Sequence, residues 1–138
     1  MILYVDENIP KHLAQGFEVL QIPEGLKLGV DIKVKYIPSE FGQGVKDEEW
    51  IPEVGKEKAC VLTQDMNINR RKHELALYRK HGVGMFFLKG ASKKQGMSVW
   101  KMVEALARNW PAMTHIMLNE KRPFAYQLGI KGKIKSLD

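Results

Sequence analysis

The chain has 138 residues, 44% of them hydrophobic and 28% charged, which suits one compact domain with a sizeable core. No apolar run approaches the roughly 18 to 20 residues a membrane span needs, and the N-terminal ILYV is too short for a signal peptide, so a cytoplasmic protein without a membrane partner is expected. The single cysteine, Cys60, excludes a disulfide framework or thiolate zinc site, while the net charge of +6 and pI near 9.4 favour a polyanionic partner.

Short apolar runs alternate with helical segments, a pattern that predicts an α/β layered fold. Ile2 to Val5 reads as a buried strand. NIPKHLAQGF, Asn8 to Phe17, reads as a short helix with Pro10 in its first turn. Val34 to Pro38 is the second strand, SEFGQGVKD a loop, and DEEWIPEVGKEK a helix that Asp47 caps, with Pro52 about one turn in. ACVLT is the third strand, a basic helix runs from about Ile68 to His81, and Gly84 to Leu88 is the fourth strand. Val99, Val103, Leu106, Ala107 and Trp110 then recur at helical spacing, which places Met97, Met102, Trp100 and Trp110 in the core. A shorter helical segment over Met113 to Asn119 precedes a late strand, RPFAYQL, at the sheet's edge. Residues 1–130 form the expected domain, and the lysine-rich residues 131–138 a frayed basic tail.

The acids acquire meaning on this scheme. In a sheet of parallel strands joined by helices, sites form beyond the carboxyl ends of the strands. Asp6 and Glu7 follow the first strand, Asp65 follows the third, and Asp47 opens a helix returning from the same edge. Each could simply cap a turn or helix. Together at one rim they would raise one another's pKa, a penalty that a hard divalent cation such as Mg²⁺ or Mn²⁺ removes. DMNIN also resembles the start of a calcium loop, but that reading fails: Arg70 stands where glycine is required and Ala76 where glutamate is. Asn67 is then a turn residue or an outer contact of a metal site.

YVDEN at Tyr4 to Asn8, DEEWI at Asp47 to Ile51 and VLTQDMNI at Val61 to Ile68 resemble, in order, the motifs of the PIN-like ribonucleases related to VapC-type toxins of toxin–antitoxin pairs. The resemblance runs to about Leu88, and the later KKQGMSVWKMVEALARNWP and KRPFAY look like the extension of the PIN-like branch. It implies a three-layer α/β/α sandwich with a mainly parallel sheet, and metal-dependent endonucleolytic hydrolysis of RNA. Asp6, Asp47 and Asp65 would be the catalytic residues and hold Mg²⁺ or Mn²⁺. The family's further acid on an early helix has no obvious counterpart here; Glu7, Glu40 or Glu48 could substitute, whereas Glu18, Glu24 and Asp31 lie in less defined surroundings. A small antitoxin protein is the implied partner, and homodimers are frequent in the family.

Bases near the acidic rim suit an RNA substrate, because they hold the flanking phosphates. Arg70 and Arg71 open the basic helix, with Glu74 spaced to pair with Arg70 on a solvated face, and Lys89, Lys93 and Lys94 follow the fourth strand. Two other functions fit part of the pattern. A non-catalytic nucleic-acid-binding module would use the acids only as caps. A receiver-type phosphoacceptor domain would use the acids and Lys89, but leaves Asp47 without a role.

Overall fold

The computed structural model describes residues 1–64, 68–90 and 97–138. Five strands, β1 (Ile2–Val5), β2 (Lys33–Tyr36), β3 (Cys60–Gln64), β4 (Gly84–Leu88) and β5 (Phe124–Leu128), pair in parallel in the order β2-β1-β3-β4-β5. A short antiparallel strand, β6 (Lys135–Ser136), follows β5 at the edge. Period-two alternation builds two cores, one on each face of the sheet. Leu3, Val5, Leu62, Phe86 and Leu88 face helices α1 (Lys11–Leu28) and α5 (Val99–Asn119). Tyr4, Val61, Met85 and Phe87 face α2 (Ile37–Phe41), α3 (Asp47–Lys56) and α4 (Ile68–His81). The result is the expected three-layer α/β/α sandwich.

Several elements differ from the reading of the sequence. The short first helix runs on to Leu28, through Pro23, and ends in a left-handed Gly29 where Val30 N–H bonds Gly25 O at 2.9 Å. Its extension was illegible because its second half buries only Gln21 and Gly25 and leaves Val19, Leu20 and Leu26 exposed, so no apolar stripe marks it. Gln21 Nε2 donates to Ile32 O at 2.6 Å, and the Glu18 carboxylate accepts from Val34 N–H, satisfying backbone groups beside the sheet's first edge. Part of the expected loop after β2 is α2. The two helical segments after β4 are one helix across Pro111, since Trp110, Met113, Ile116 and Met117 all bury on the sheet side. Trp100, placed in the core by spacing, is instead 78% exposed, because it lies off the buried stripe of Met102, Ala105 and Leu106. RPFAYQL is not the last strand of the sheet: Lys135 and Ser136, in the segment expected to fray, pair with Gln127 and Tyr126, and Leu137 N–H bonds Ala125 O at 2.9 Å. Among the described residues no helix is long and apolar enough to cross a membrane.

One close approach sets the distance between α3 and α4. Gly55, near the end of α3, lies against the backbone carbonyl of His81 at the end of α4, so a Cβ there would collide with that oxygen. In an open helix Gly→Ala stabilises by up to about 1 kcal/mol. Here Gly55→Ala should destabilise by about 1–3 kcal/mol through overpacking, read as a lowered melting temperature; a variant that melts higher than the parent would show that α3 and α4 are free to separate.

Candidate active site

Parallel pairing aligns the carboxyl ends of β1 and β3, where the direction of winding reverses, the position at which doubly wound sheets form their sites. Asp6 stands there. Its backbone N–H bonds Leu62 O at 3.0 Å, so the residue is held in line with the sheet, and it is only 3% exposed. Three donors converge on the carboxylate: Thr63 Oγ1 at 2.7 Å, the Glu7 N–H at 2.8 Å and Arg70 Nη2 at 3.3 Å. The loop after β1 is fixed by Asn8, whose Oδ1 accepts from Gln64 N–H at 3.2 Å and lies 3.2 Å from Thr63 Oγ1, and whose Nδ2 donates to Gln64 O at 3.3 Å. Gln64 Nε2 returns a bond to Asn8 O. Sequence reasoning passed over Asn8. Its signal was the YVDEN motif itself, where an amide two residues beyond the acid can bridge to a neighbouring strand.

Asp47 does not cap α3. Lys46 occupies the cap position, and Asp47, the first helical residue, is half-buried and accepts from Trp50 Nε1 at 3.2 Å. Burial and the Asp6 charge push its pKa up, while Arg70 and the Trp50 hydrogen bond pull the other way. Asp6 and Asp47, 41 positions apart in the chain, therefore share one electrostatic environment, as the placement at one rim predicts. Asp65, directly after β3, and Asn67, Lys93 and Lys94 lie outside the described residues.

The largest departure concerns Glu74. It pairs with Arg70 as the spacing predicts, Nε to Oε1 at 2.6 Å, but on a buried face rather than a solvated one: its side chain is 2% exposed. Tyr78 Oη donates to its other oxygen at 2.9 Å, so Arg70, Glu74 and Tyr78 form a ladder with one rung per turn of α4. The helix has few apolar residues for its inner stripe, and Glu74 lies on that stripe between Arg71 and Tyr78; this was the available signal. Burial pushes the Glu74 pKa up to about 7, opposed by Arg70 and Tyr78 and reinforced by Asp6. Arg70 thus turns inward, and although burial works against its charge, Glu74, Asp6 and Asp47 hold its pKa raised. Arg71 is half-buried and Lys89 exposed at the end of β4.

Of the acids weighed as substitutes, Glu7 is exposed and approaches Asp6 through its backbone, Glu48 is exposed and pairs with His73 at 3.1 Å, and Glu40 is exposed on α2. Among the described residues no group of three His, Cys, Asp or Glu side chains could hold a metal ion. The donors at the rim are nonetheless all oxygens, the chemistry a hard divalent cation accepts, and the residue that would extend the set, Asp65, is outside the described segments.

A family model described as PIN like domain matches residues 1–90. The chain belongs to that family. PIN-like domains are generally nucleases and usually use divalent metals. The match spans β1 to β4 and takes in Asp6, Asp47, Asp65 and Glu74; α5, β5 and β6 lie beyond it. No curated protein and no solved structure matches the chain. The family match, rather than the strand order, separates this domain from receiver-type domains, because the order 2-1-3-4-5 is common to many doubly wound sheets. The charge partner of Asp6 is also Arg70, and among the described residues Lys89 forms no ion pair.

The raised pKa of Glu74 has a consequence for stability. A carboxyl ordinarily near 4.5 that titrates near 7 when folded binds more protons in the folded state between those values. Stability contributed by the protonated form is therefore complete below about pH 4.5 and lost as pH rises through about 7. Denaturant unfolding across that window should show the parent weakening with pH more steeply than Glu74→Gln, in which Asp47, also raised, still contributes; parallel profiles would mean that Glu74 is ionised throughout.

Proposed function

We propose that the protein is a Mg²⁺- or Mn²⁺-dependent endoribonuclease, the toxin of a toxin–antitoxin pair, whose small partner protein would cover the acidic rim. The observation that carries the reading is Asp6: a carboxylate buried at the switch point of a PIN-like sheet, beside half-buried Asp47 and buried Glu74. A carboxylate needed only as a cap has no reason to leave solvent in such company. Asp6, Asp47 and Asp65 are the residues that would hold the metal. When bound, the metal would supply Lewis-acid polarisation of the scissile phosphate and activation of the attacking water. Thr63 and Asn8 fix the orientation of Asp6, and Glu74 fixes Arg70, which lies close enough to exchange Asp6 for a substrate phosphate.

Asp6→Asn keeps the shape of the side chain and removes its charge. It should lower metal-dependent cleavage of a labelled RNA by about a hundredfold or more, with circular dichroism unchanged. Asp47→Asn and Asp65→Asn should behave alike, and their combination should be far from additive, because ligands of one site act as a unit. Full turnover by the folded Asp6→Asn protein would remove the acid cluster from the chemistry.

One observation favours a second reading, in which RNA is bound without turnover: Asp6 and Glu74 already share a cation, Arg70. Melting curves with and without Mg²⁺ distinguish the two. For a dissociation constant near 1 mM, about 10 mM Mg²⁺ adds roughly 1.4 kcal/mol, a shift of a few degrees. The nuclease reading expects that shift in the parent and its loss in the Asp6, Asp47 and Asp65 triple Asn variant. Equal behaviour of the two proteins favours the binding module.

A further inference from the structure

At the same rim of the sheet, the carboxyl ends of β4 and β5 open into a cavity of about 470 Å³ bounded by α5 and the β5–β6 connection. Five lysines line it: Lys89, Lys101, Lys131, Lys133 and Lys135. No acid does. Among the described residues Lys101 has a carboxylate within reach, Glu104 at 3.4 Å on the exposed side of α5, and the other four form no ion pair. Between the lysines the lining combines apolar Met97, Leu128 and Ile130 with polar Ser98 and Gln127.

The backbone carrying these lysines is held in place. Buried Asn109 bridges Ala105 O at 2.7 Å and Gly129 O at 3.0 Å, and the Arg108 guanidinium bonds Gly132 O at 3.1 and 3.3 Å. Gly132 takes the positive φ that turns the chain back into β6. Repulsion among the lysines is thus maintained by the fold, an arrangement that favours a polyanion at this place. Between the lining residues Ser98 and Lys101 in the chain, Trp100 stands 78% exposed on the first turn of α5. An exposed indole on the helical turn that also carries two lining residues, together with the lysines, supplies the two kinds of contact that hold unpaired nucleic acid, stacking on bases and pairing of phosphates with cations. The volume falls within the roughly 300–1,000 Å³ of small-molecule sites, enough for a nucleotide unit. Polar contacts connect the cavity to the acidic rim: Met97 N–H bonds Gln64 Oε1 at 3.2 Å, Gln64 bonds Asn8, and Asn8 meets Thr63 beside Asp6.

We infer that this cavity is a second subsite for single-stranded RNA, which takes the strand flanking the acidic centre, with Trp100 stacking a base and Lys131 and Lys133 pairing with its phosphates. The substrate class rests on the ribonuclease reading; Trp100, Lys131 and Lys133 lie outside the segment that the family model matches, which reaches only Lys89 and Gly90 of the lining. A labelled RNA of about ten nucleotides, titrated in EDTA at several salt concentrations and followed by anisotropy, tests it without catalysis. The Lys131→Ala/Lys133→Ala double variant should bind about tenfold more weakly, and its salt slope should fall by about 1.4, at roughly 0.7 per lost phosphate contact on a single strand. Trp100→Ala should weaken binding about tenfold at an unchanged slope and abolish tryptophan quenching, since Trp50 and Trp110 are buried. If the Ala variant melts early, Lys131→Gln/Lys133→Gln serves in its place.

Unchanged affinity and slope in the lysine variants overturn the subsite, as does equally tight, lysine-dependent binding of polyglutamate without quenching. Cleavage by the parent with Mg²⁺ is read separately. Lysine-dependent binding without any cleavage defeats the ribonuclease reading and leaves the subsite standing, whereas cleavage with lysine-independent binding does the reverse.

Discussion

Holding the Asp6 carboxylate out of water is the constraint around which the sheet's carboxyl edge is arranged. An isolated buried carboxylate is too costly to keep ionised, so hydrogen bonds and a cation must reach it. The hydrogen bonds require β3 beside β1, because Thr63 must lie next to Asp6. The cation requires α4 to begin close to that edge, where Arg70 can turn inward. Arg70 is then fixed by Glu74, and Glu74 by Tyr78, which packs near Trp50 and Phe87 in the core between the sheet and helices α3 and α4. A change in the charge of Asp6 is therefore transmitted to the packing of α4, and the reverse holds as well. The charge at the rim and the packing of α4 are linked here through three side chains on successive turns.

The two faces of the sheet contribute differently to the rim. Helices α3 and α4 deliver Asp47, Arg70 and Glu74, an acid-rich group with one guanidinium among its members. Helix α5 and the β5–β6 connection deliver lysines, and among the described residues no acid lines the cavity between them. A phosphodiester chain needs both: negative ligands where a metal acts on one phosphate, and positive groups where its neighbours must be held. The boundary between these halves is close to where the family match ends at residue 90, so the later segment completes the sheet and adds a basic surface to a PIN-like core.

The strands were legible because buried parallel strands are short apolar runs whose pattern does not depend on the neighbours they find. ILYV, CVLTQ and GMFFL fall close to where they are read, and α4 occupies the expected span from Ile68 to His81. The placement of Asp6 and Asp47 at one edge followed from strand direction alone. Helix α1 was not legible past Phe17, since Val19, Leu20 and Leu26 point away from the core and blur its period. Pro111 suggested a break that packing of the residues on both sides of it overrides.

What the sequence determined by itself was the α/β class and the acids available at the strand ends, because apolar periodicity and chain direction are local properties. Tertiary structure decided which charges are buried and which are not. Glu74 and Trp100 exchanged their expected roles, the acid going inside and the indole outside, because burial depends on how each helix is rotated against the sheet. The tail became a strand for the same kind of reason: β5 presented an open edge, and Lys135 and Ser136 satisfy its backbone. Neither a helix's rotation nor an open sheet edge is encoded at the position it affects; both are set by partners far along the chain.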